Sequence, residues 1–343
     1  MKPNNSPFPA LLQRLLHRSI KGLRLLAELL RSRFEQADIA IFHELLPPPD
    51  GGGNQFIRAM ARCFERQGFR VVFNRIPRGV KAVYFNSFNF NAREFSVWHR
   101  CFGGERPFIH RIDGPIQTYR GFDDGADAQV WSCNRRFATH SILQSHYSLE
   151  QHRELGVELV QPVLITNASD PDLFFPPIQR CPLEGRKVVL IATSWSDNPN
   201  KGLEIYQWLD AHLDFDRFEF RFAGRIRGNF RHIQVLGALE SMALAEELRA
   251  ADLYVTASRM DPCSNSLIEA LTCGLPAVFL NSGGHPEIVG KAGLGFERAE
   301  QIPLLIDRIL ADYTSYQSAI VRPTIDEVAA QYLAVAQLNQ KTT

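Results

Sequence analysis

Two acidic residues in the second half of the chain, Asp261 and Glu269, lie with seven residues between them across a predicted strand-to-helix junction. The run Leu253–Thr256 predicts a buried strand, and Ser264 or Asn265 suits the N-cap of the helix that follows. Amides at a helix start suit a diphosphate, and Glu269, one turn further, could accept hydrogen bonds from a ribose diol. Asp261 could contact a sugar hydroxyl. Alternatively, Asp261 and Ser264 only cap the helix and Glu269 is solvated.

Two other segments add groups that suit a phosphate-bearing ligand. A polar loop after the predicted strand Val188–Ala192 ends in Lys201 and Gly202. A lysine at the entry to a helix can neutralise a leaving diphosphate, or it can be an ordinary solvated lysine. Gly283 and Gly284 open another strand end, where paired glycines permit a close backbone approach to a ligand or a tight turn.

The elements that must position these residues alternate between strand and helix patterns. The first is a strand at Ile39–Phe42, a glycine loop at Gly51–Gly53 and a helix at Asn54–Gln67. This alternation predicts an α/β protein with two doubly wound, Rossmann-like domains, whose ligands bind at the carboxyl ends of parallel strands. The other predicted strands are 70–73, 82–85, 108–112, 141–143, 163–165, 218–222, 235–236 and 277–280.

Domain limits follow from the same patterns. The stretch Asp172–Arg186 contains three prolines and no clear period, which is typical of a linker. We expect a helix over 1–36, a first Rossmann-like domain over 37–175 and a second over 176–322. Residues 323–343 are expected to form a terminal helix, with a return to the first domain as an open alternative.

The segment 11–36 is predicted to be a basic amphipathic helix. The segment contains six Arg or Lys residues and only two Glu, and this positive net charge suits the surface of an anionic membrane. Packing on its own domain or on a second copy of the chain is an equal alternative. The apolar stripe consists of Leu12, Leu15, Leu16, Ile20, Leu23, Leu26, Ala27, Leu30 and Phe34.

Composition narrows the function classes. The 343 residues include 38 Lys and Arg against 37 Asp and Glu, so binding to nucleic acid through bulk charge is not expected. Six cysteines without a C-x-x-C pair indicate reduced thiols and a cytosolic protein. No run reaches the roughly 20 apolar residues of a membrane span. We therefore expect a cytoplasmic location, either free or peripheral on the inner face of the membrane.

Taken together, several motifs resemble the donor-binding domain of the retaining family-4 glycosyltransferases, which have the GT-B fold. The resemblance covers about residues 187–300 closely and the first half loosely. It implies that 37–175 is the acceptor-side domain and 176–322 the nucleotide-sugar-binding domain. In the second half it is carried by Lys201-Gly202, Phe222–Gly224, Val235–Gly237, Ala251–Val255, Asp261–Pro276 and Gly283–Val289. In the first half it is carried by Gly51–Gly53, His110–Pro115, Ser141–Ser148 and Ile165–Asp170.

The resemblance implies transfer of a sugar from a nucleotide-diphosphate sugar to a glycan or lipid-linked acceptor, in bacterial surface polysaccharide synthesis. It implies a retaining, hexosyl-type transfer with no divalent metal and no cofactor besides the sugar nucleotide. The implied catalytic residues are Asp261, Lys201, Asp113 and His110. The implied donor-binding residues are Glu269, Ser264, Asn265, Ser266, Lys201, Trp195, Arg225, Gly52 and Gly53. His43 and Glu44, beside the glycine loop, are further candidates.

The sequence departs from the family pattern at three places. Asp261 replaces the usual glutamate, Ser264 replaces a glycine, and Trp195 lies where an arginine is common. A diphosphate cradle with help from Arg225 or Arg227 is therefore expected. Two alternatives stay open beside the transferase: a nucleotide-sugar epimerase of the same fold, and a non-catalytic partner subunit.

Overall fold

The computed structural model describes residues 22–47, 51–122 and 124–338. They form two α/β domains, each built on a six-stranded parallel sheet, as the strand and helix alternation predicts. The first domain contains, in chain order, α1 (22–32), β1 (Ile39–Phe42), α2 (Gly52–Arg66), β2 (Val71–Phe73), β3 (Ala82–Asn86), α3 (Ala92–Phe102), β4 (Phe108–Arg111), α4 (Ile116–Arg120), α5 (Ala126–Phe137), β5 (His140–Leu143), α6 (His146–Glu154) and β6 (Pro162–Leu164).

The second domain follows a stretch without strands or helices over residues 165–187. It contains β7 (Val188–Ser194), α7 (Leu203–His212), β8 (Phe218–Gly224), β9 (Gln234–Gly237), α8 (Ser241–Ala250), β10 (Leu253–Thr256), α9 (Asn265–Thr272), β11 (Ala277–Leu280), α10 (His285–Val289), β12 (Gly293–Phe296), α11 (Ile302–Ala311) and α12 (Tyr313–Ser318). A last helix, α13 (Ile325–Val335), completes the described chain.

Strand order explains where a ligand can bind. The first sheet has the order β2-β1-β3-β4-β5-β6 and the second β12-β11-β10-β7-β8-β9. In each sheet the order reverses once, between β1 and β3 and between β7 and β10. Loops after these neighbouring strands leave in opposite directions, so a crevice opens at the carboxyl ends there. The two crevices are the places in the fold where functional side chains are expected to gather.

The terminal helix α13 packs on the first domain. Tyr332 and Leu333 share one buried apolar cluster with Phe56, Met60 and Phe64 of α2. The chain thus crosses back from the second domain to the first. This packing ties the two domains together beside the start of the linker, since Ile165 and Ala168 belong to the same cluster.

The helix α1 also packs on the first domain, but not through the stripe that the sequence suggests. Its contacts with the core are made by Leu25 and Leu29. Leu23, Leu26, Leu30 and Phe34, which belong to the predicted stripe, are exposed, and Phe34 is 89% exposed. Helix α1 therefore carries two apolar faces, one against the domain and one towards solvent. Residues 1–21 of the predicted helix lie outside the described residues.

Element boundaries differ from the predictions at a few places. Gly52 and Gly53 form the first turn of α2, so the loop before that helix ends at Gly51. The strand β12 was not predicted because it is short and contains two glycines, which weakens the strand pattern. Before the last helix the chain forms two helices, Ile302–Ala311 and Tyr313–Ser318, which are separated at Asp312.

Candidate active site in the interdomain cleft

A cleft of about 680 Å³ lies between the two domains and brings most of the predicted site residues together. The first domain contributes Gly52, Gly53 and Asp113, and the second contributes the ends of β7 and β8, the loop after β10 and the start of α9. From the second domain the predicted residues that line it are Trp195, Lys201, Asp261, Ser264, Asn265, Ser266 and Glu269.

Lys201 and Asp261 form the charged centre of the cleft. Lys201 follows β7 and Asp261 follows β10, and these two strands are paired neighbours at the reversal of the second sheet. The Lys201 Nζ donates to Asp261 Oδ2 at 2.9 Å. Burial opposes ionisation of Asp261, but the Lys201 ammonium outweighs it, so the pKa of Asp261 lies below its ordinary value. Asp261 is therefore a carboxylate that holds Lys201 in place.

The start of α9 offers backbone donors to the cleft. The Ser264 side chain caps the helix by accepting from the Leu267 amide at 3.4 Å. The amides of Asn265 and Ser266 precede the first turn's hydrogen bonds, and both residues line the cleft. Tyr254 steadies this turn, because its hydroxyl donates to Ser266 Oγ at 3.1 Å. An anion here would meet amides and the positive end of the helix.

Glu269 is buried on the same helix, and its side chain is at the wall of the cleft. Among the described residues, no hydrogen bond or ion pair to its carboxyl group is found. Burial raises the pKa of Glu269 to about 8. A buried polar group without a partner is costly unless a ligand satisfies it. Glu269 is therefore a free acceptor or donor for a hydroxyl-bearing ligand.

Two glycines of the first domain allow it to approach the second. A Cβ on Gly52 would lie 2.5 Å from Asn265 Cβ, and a Cβ on Gly114 would lie 2.9 Å from Pro262 Cβ. Neither position can carry a larger side chain without displacement of its neighbour. A Cβ on Gly53 would have no neighbour within 4 Å among the described residues. The first turn of α2 therefore has no space for a side chain at Gly52, whereas it has space for one at Gly53.

Asp113 faces the cleft from the end of the first sheet, 29% of its side chain being exposed. It accepts from Arg111 Nη1 at 2.9 Å. Arg111 was missed in the sequence, although a charged residue inside the predicted strand 108–112 is itself unusual. Burial opposes the charge of Arg111, yet Asp113 keeps the pKa of the guanidinium above its ordinary value.

The structure corrects the role expected for His110. Its side chain is fully buried in the first domain, stacked on Phe85 at 4.1 Å between ring centres, with Nε2 at 3.0 Å from the Ser87 carbonyl oxygen. Burial lowers the pKa of His110 to about 3. It does not line the cleft and cannot contact a sugar or an acceptor. His110 is a structural histidine because it lies inside the strand β4, with its side chain packed against Phe85, whereas Asp113 follows the end of that strand and lines the cleft.

The other candidates divide between the cleft and its surroundings. Trp195 lines the cleft, while Arg225 lies in an adjoining groove with its guanidinium 4.7 Å from the Trp195 ring centre. Arg227 reaches the cleft but is paired with Asp197 at 2.6 Å. Glu44 is exposed outside the cleft. His43 is buried behind it, and burial lowers the pKa of its imidazole.

Several hydrogen bonds cross between the domains around the cleft. The Glu287 carboxylate accepts from the backbone amides of His146 and Tyr147, each at 2.8 Å, and so caps α6 from the other domain. Ser145 Oγ donates to the Pro262 carbonyl oxygen at 2.7 Å. These contacts hold the cleft in a closed arrangement, with Glu287 already engaged.

The described residues contain no group of three or more His, Cys, Asp or Glu side chains that could hold a metal ion. None of the helices in the described part of the chain combines the length and apolar character that crossing a bilayer requires.

Solved structures share this architecture over most of the chain. Sucrose-phosphate synthase from Thermosynechococcus elongatus superposes with a TM-score of 0.64 at 16% identity, over 88% of this chain and 97% of that one. The Anabaena protein HepE, in complex with UDP-glucose, gives 0.60 at 16% identity, over 88% and 98%. The catalytic domain of starch synthase IV from Arabidopsis thaliana, bound to ADP and acarbose, gives 0.64 at 11% identity, over 88% and 99%. At these identities the likeness shows the fold.

Sequence comparison adds a family for the second domain. Residues 213–312 match the family described as glycosyl transferases group 1. No curated protein sequence matches the chain significantly. Both the predicted α/β architecture and the group 1 resemblance are therefore confirmed: this chain has the two-domain GT-B fold, with a glycosyl transferases group 1 segment in its second domain.

Proposed function

We propose that the protein is a retaining glycosyltransferase that moves a sugar from a nucleotide-diphosphate sugar to a glycan or lipid-linked acceptor. One observation carries the proposal. Lys201, the free amides at the start of α9 and the unpartnered carboxyl of Glu269 line one cleft. A cation with helix amides suits a diphosphate, and an unsatisfied carboxyl suits a ribose diol.

The chemistry follows from where charge develops. The bond between the anomeric carbon and the diphosphate oxygen breaks, and negative charge grows on that oxygen. Lys201 and the amides of Asn265 and Ser266 stabilise this charge, because they are oriented before the donor arrives. The acceptor oxygen bonds to the anomeric carbon on the same face, and its proton passes to the leaving phosphate oxygen. Asp261 and Asp113 bind hydroxyl groups of the sugars.

Retention, hexosyl transfer, metal independence and a role in surface polysaccharide synthesis are parts of the proposal that come from the family resemblance. The cleft itself bears only on where the two substrates would meet, because residues of both domains, Asp113 among them, line it. The solved relatives in complex with UDP-glucose and with ADP make sugar nucleotides of both bases the first donors to test.

The test of the reaction is a product assay with a panel of nucleotide sugars and a crude glycan or lipid-linked acceptor fraction. Transfer with an α-linked product from an α-linked donor, unchanged by EDTA, supports the proposal. Donor conversion without an acceptor would instead indicate an epimerase. Binding of sugar nucleotides without turnover in any acceptor fraction would indicate a partner subunit.

We also propose that the exposed face of α1 binds an anionic lipid surface, which would bring the enzyme to a lipid-linked acceptor. Leu26 and Leu30 on this face and Phe34 just after the helix are more than half exposed, and Arg31 and Arg33 nearby in the sequence are exposed too. Apolar side chains that insert at a headgroup boundary, together with basic side chains, suit such a surface.

Vesicle binding tests this surface with a matched control. Leu30→Glu together with Phe34→Glu should abolish co-sedimentation with vesicles that contain anionic lipid. Leu304→Glu changes another exposed leucine, 72% exposed on the second domain, and should leave it unchanged. Equal binding by the wild type, the double variant and Leu304→Glu would show that α1 does not bind the lipid surface.

A further inference from the structure

A chain of buried polar side chains runs along the carboxyl ends of three neighbouring strands in the first domain. His43 follows β1, Asn86 ends β3 and Arg111 ends β4. Asn167, which follows β6, joins the same chain. Each of the four residues is at most 4% exposed, so their polar atoms must satisfy one another.

The hydrogen bonds of this chain have one consistent direction. Asn54 Oδ1 accepts from the Leu46 amide, so it also accepts from His43 Nε2 at 3.1 Å. His43 Nδ1 is then the acceptor for Asn86 Nδ2 at 3.0 Å. The remaining oxygen, Asn86 Oδ1, accepts from Arg111 Nη1 at 2.8 Å. The neutral histidine thus orients Asn86, and Asn86 orients Arg111.

Arg111 is the branch point of the chain. Its Nη1 also donates to Asp113 Oδ1 at 2.9 Å, and its Nη2 donates to Asn167 Oδ1 at 3.2 Å. The Asn167 Nδ2 in turn donates across the cleft to Asn265 Oδ1 at 2.8 Å. Asn265 is the first residue of α9, where the donor diphosphate is placed in the proposed function. The chain therefore connects a carboxylate on one side of the cleft with the donor helix on the other.

Two parts of this hydrogen-bonded chain reach the cleft. One is the partly exposed carboxylate of Asp113, and the other is the Asn167–Asn265 hydrogen bond, which joins the two domains. Separation of the domains would break the Asn167–Asn265 bond, whereas the bonds within the first domain could persist. Asn167, an acceptor for Arg111, would then no longer be held by α9. The orientation of Asp113, which Arg111 sets, would no longer depend on α9.

We propose that Arg111 is a positioning residue for sugar transfer, which aims Asp113 into the cleft and couples that aim, through Asn167 and Asn265, to closure on the donor helix. This inference rests on the proposed function and adds a role for a residue that touches neither donor nor acceptor. Arg111 acts only through Asp113 and Asn167.

Substitution of Asn167 tests the coupling without the removal of the buried cation. Asn167→Ala should lower kcat about tenfold, while the dissociation constant for the nucleoside diphosphate changes less than threefold. Asn167→Asp keeps an acceptor for Arg111 but loses the Nδ2 donor to Asn265 Oδ1, so its kcat should stay about as low as that of Asn167→Ala. Recovery of the wild-type kcat in Asn167→Asp would show that the bond to Asn265 is not needed. Ser169→Ala is the matched control, because Ser169 Oγ also donates to α9, to Thr272 Oγ1 at 2.8 Å, but outside the chain.

A double-mutant cycle with Asp113→Asn distinguishes positioning from general support. In the Asp113→Asn background, Asn167→Ala should lower kcat by less than a further threefold, since the group it positions is already neutral. Ser169→Ala should have the same effect in both backgrounds. Independent, multiplicative effects of Asn167→Ala and Asp113→Asn in an active enzyme would overturn the positioning role. A wild-type protein that transfers no sugar would contradict the proposed function, and the inference that rests on it.

Arg111→Lys supplies a second measurement. The ammonium keeps the charge but loses the fork that reaches Asn86, Asp113 and Asn167 together, so kcat should fall more than tenfold with the pH profile altered. If circular dichroism shows that this variant is unfolded, the double-mutant cycle of Asn167→Ala and Asp113→Asn is the test of the positioning role. A folded Arg111→Lys enzyme with wild-type kcat and pH profile would overturn the inference.

Discussion

The two sides of the cleft are built in different ways. On the side proposed to bind the donor, called the donor side, the loop after β7, the loop after β10 and the first turns of α9 supply nearly all the candidate functional groups. On the side proposed to bind the acceptor, called the acceptor side, one carboxylate, Asp113, is held by buried side chains from several strand ends. A site built from residues close in sequence can be inferred from their spacing. A site built from distant segments can be recognised only once the fold is known.

The largest expected effect lies on the donor side. Lys201→Ala should lower kcat/KM for transfer about 10²- to 10³-fold, because it removes a preoriented cation from the charge that develops on the leaving group. Steady-state kinetics measures it. Lys291→Ala, which changes an exposed lysine outside the cleft, is the control and should retain wild-type kinetics. Similar losses in both variants would contradict the donor-side assignment.

The next effect concerns the contact between the two sides. In Gly52→Ala the new methyl group would lie 2.5 Å from Asn265 Cβ, so the cleft cannot close as it does here. Transfer should fall about tenfold, which corresponds to about 1.4 kcal/mol. Gly22→Ala adds the same methyl group to α1, outside the cleft, where nothing described lies within 4 Å. Its kinetics should stay within twofold of the wild type, and equal losses would show that closure does not depend on Gly52.

The pH dependence of stability should differ in sign between the two sides. On the donor side, burial raises the pKa of Glu269 to about 8, so the folded state holds a proton that the unfolded state releases near pH 4.5. Its contribution to stability is therefore lost as pH rises between these values, by about 1.4 kcal/mol per pH unit. Urea unfolding of Glu269→Gln should show a smaller loss between pH 6 and pH 8 than the wild type. If the unfolding free energies of the variant and the wild type changed equally with pH, Glu269 would not be a buried, unpaired carboxyl group.

On the acceptor side the sign is reversed. Burial lowers the pKa of His110 to about 3, so below about pH 6.5 the unfolded state binds a proton that the folded state does not. Stability should fall with acid in this window, by up to about 1.4 kcal/mol per pH unit from this residue. Folded His110→Asn should show a shallower fall from pH 6.5 to pH 5 and should still transfer sugar at pH 7.5. Loss of turnover in a folded variant would restore His110 as a functional residue.

Much of the donor side could be predicted from the sequence. The strand at Leu253–Thr256 and the cap at Ser264 were readable because their residue types act locally. The pairing of Lys201 with Asp261 required only that β7 and β10 be neighbours, which the doubly wound order provides. The expected roles of these residues as ligands of a sugar nucleotide remain predictions.

The acceptor side could be predicted only in part. Asp113 was found because it follows a strand, but His110 was also assigned to the cleft, although it lies inside the strand β4 and is fully buried against Phe85. Arg111, Asn86 and Asn167 meet through contacts between residues 25 and 56 positions apart, which no local pattern reveals. In the same way, the sequence showed that segment 11–36 is amphipathic but not which of two apolar faces packs on the domain.

The most direct test of the donor site is isothermal titration of the wild type, Lys201→Ala and Glu269→Ala with UDP, GDP and ADP, first without metal and then with magnesium. We expect one nucleoside diphosphate to bind the wild type without metal, and each variant to bind it at least tenfold more weakly while circular dichroism shows an unchanged fold. Absence of binding by the wild type, or equal affinity in all three proteins, would contradict the assignment of this cleft to a nucleotide-diphosphate sugar.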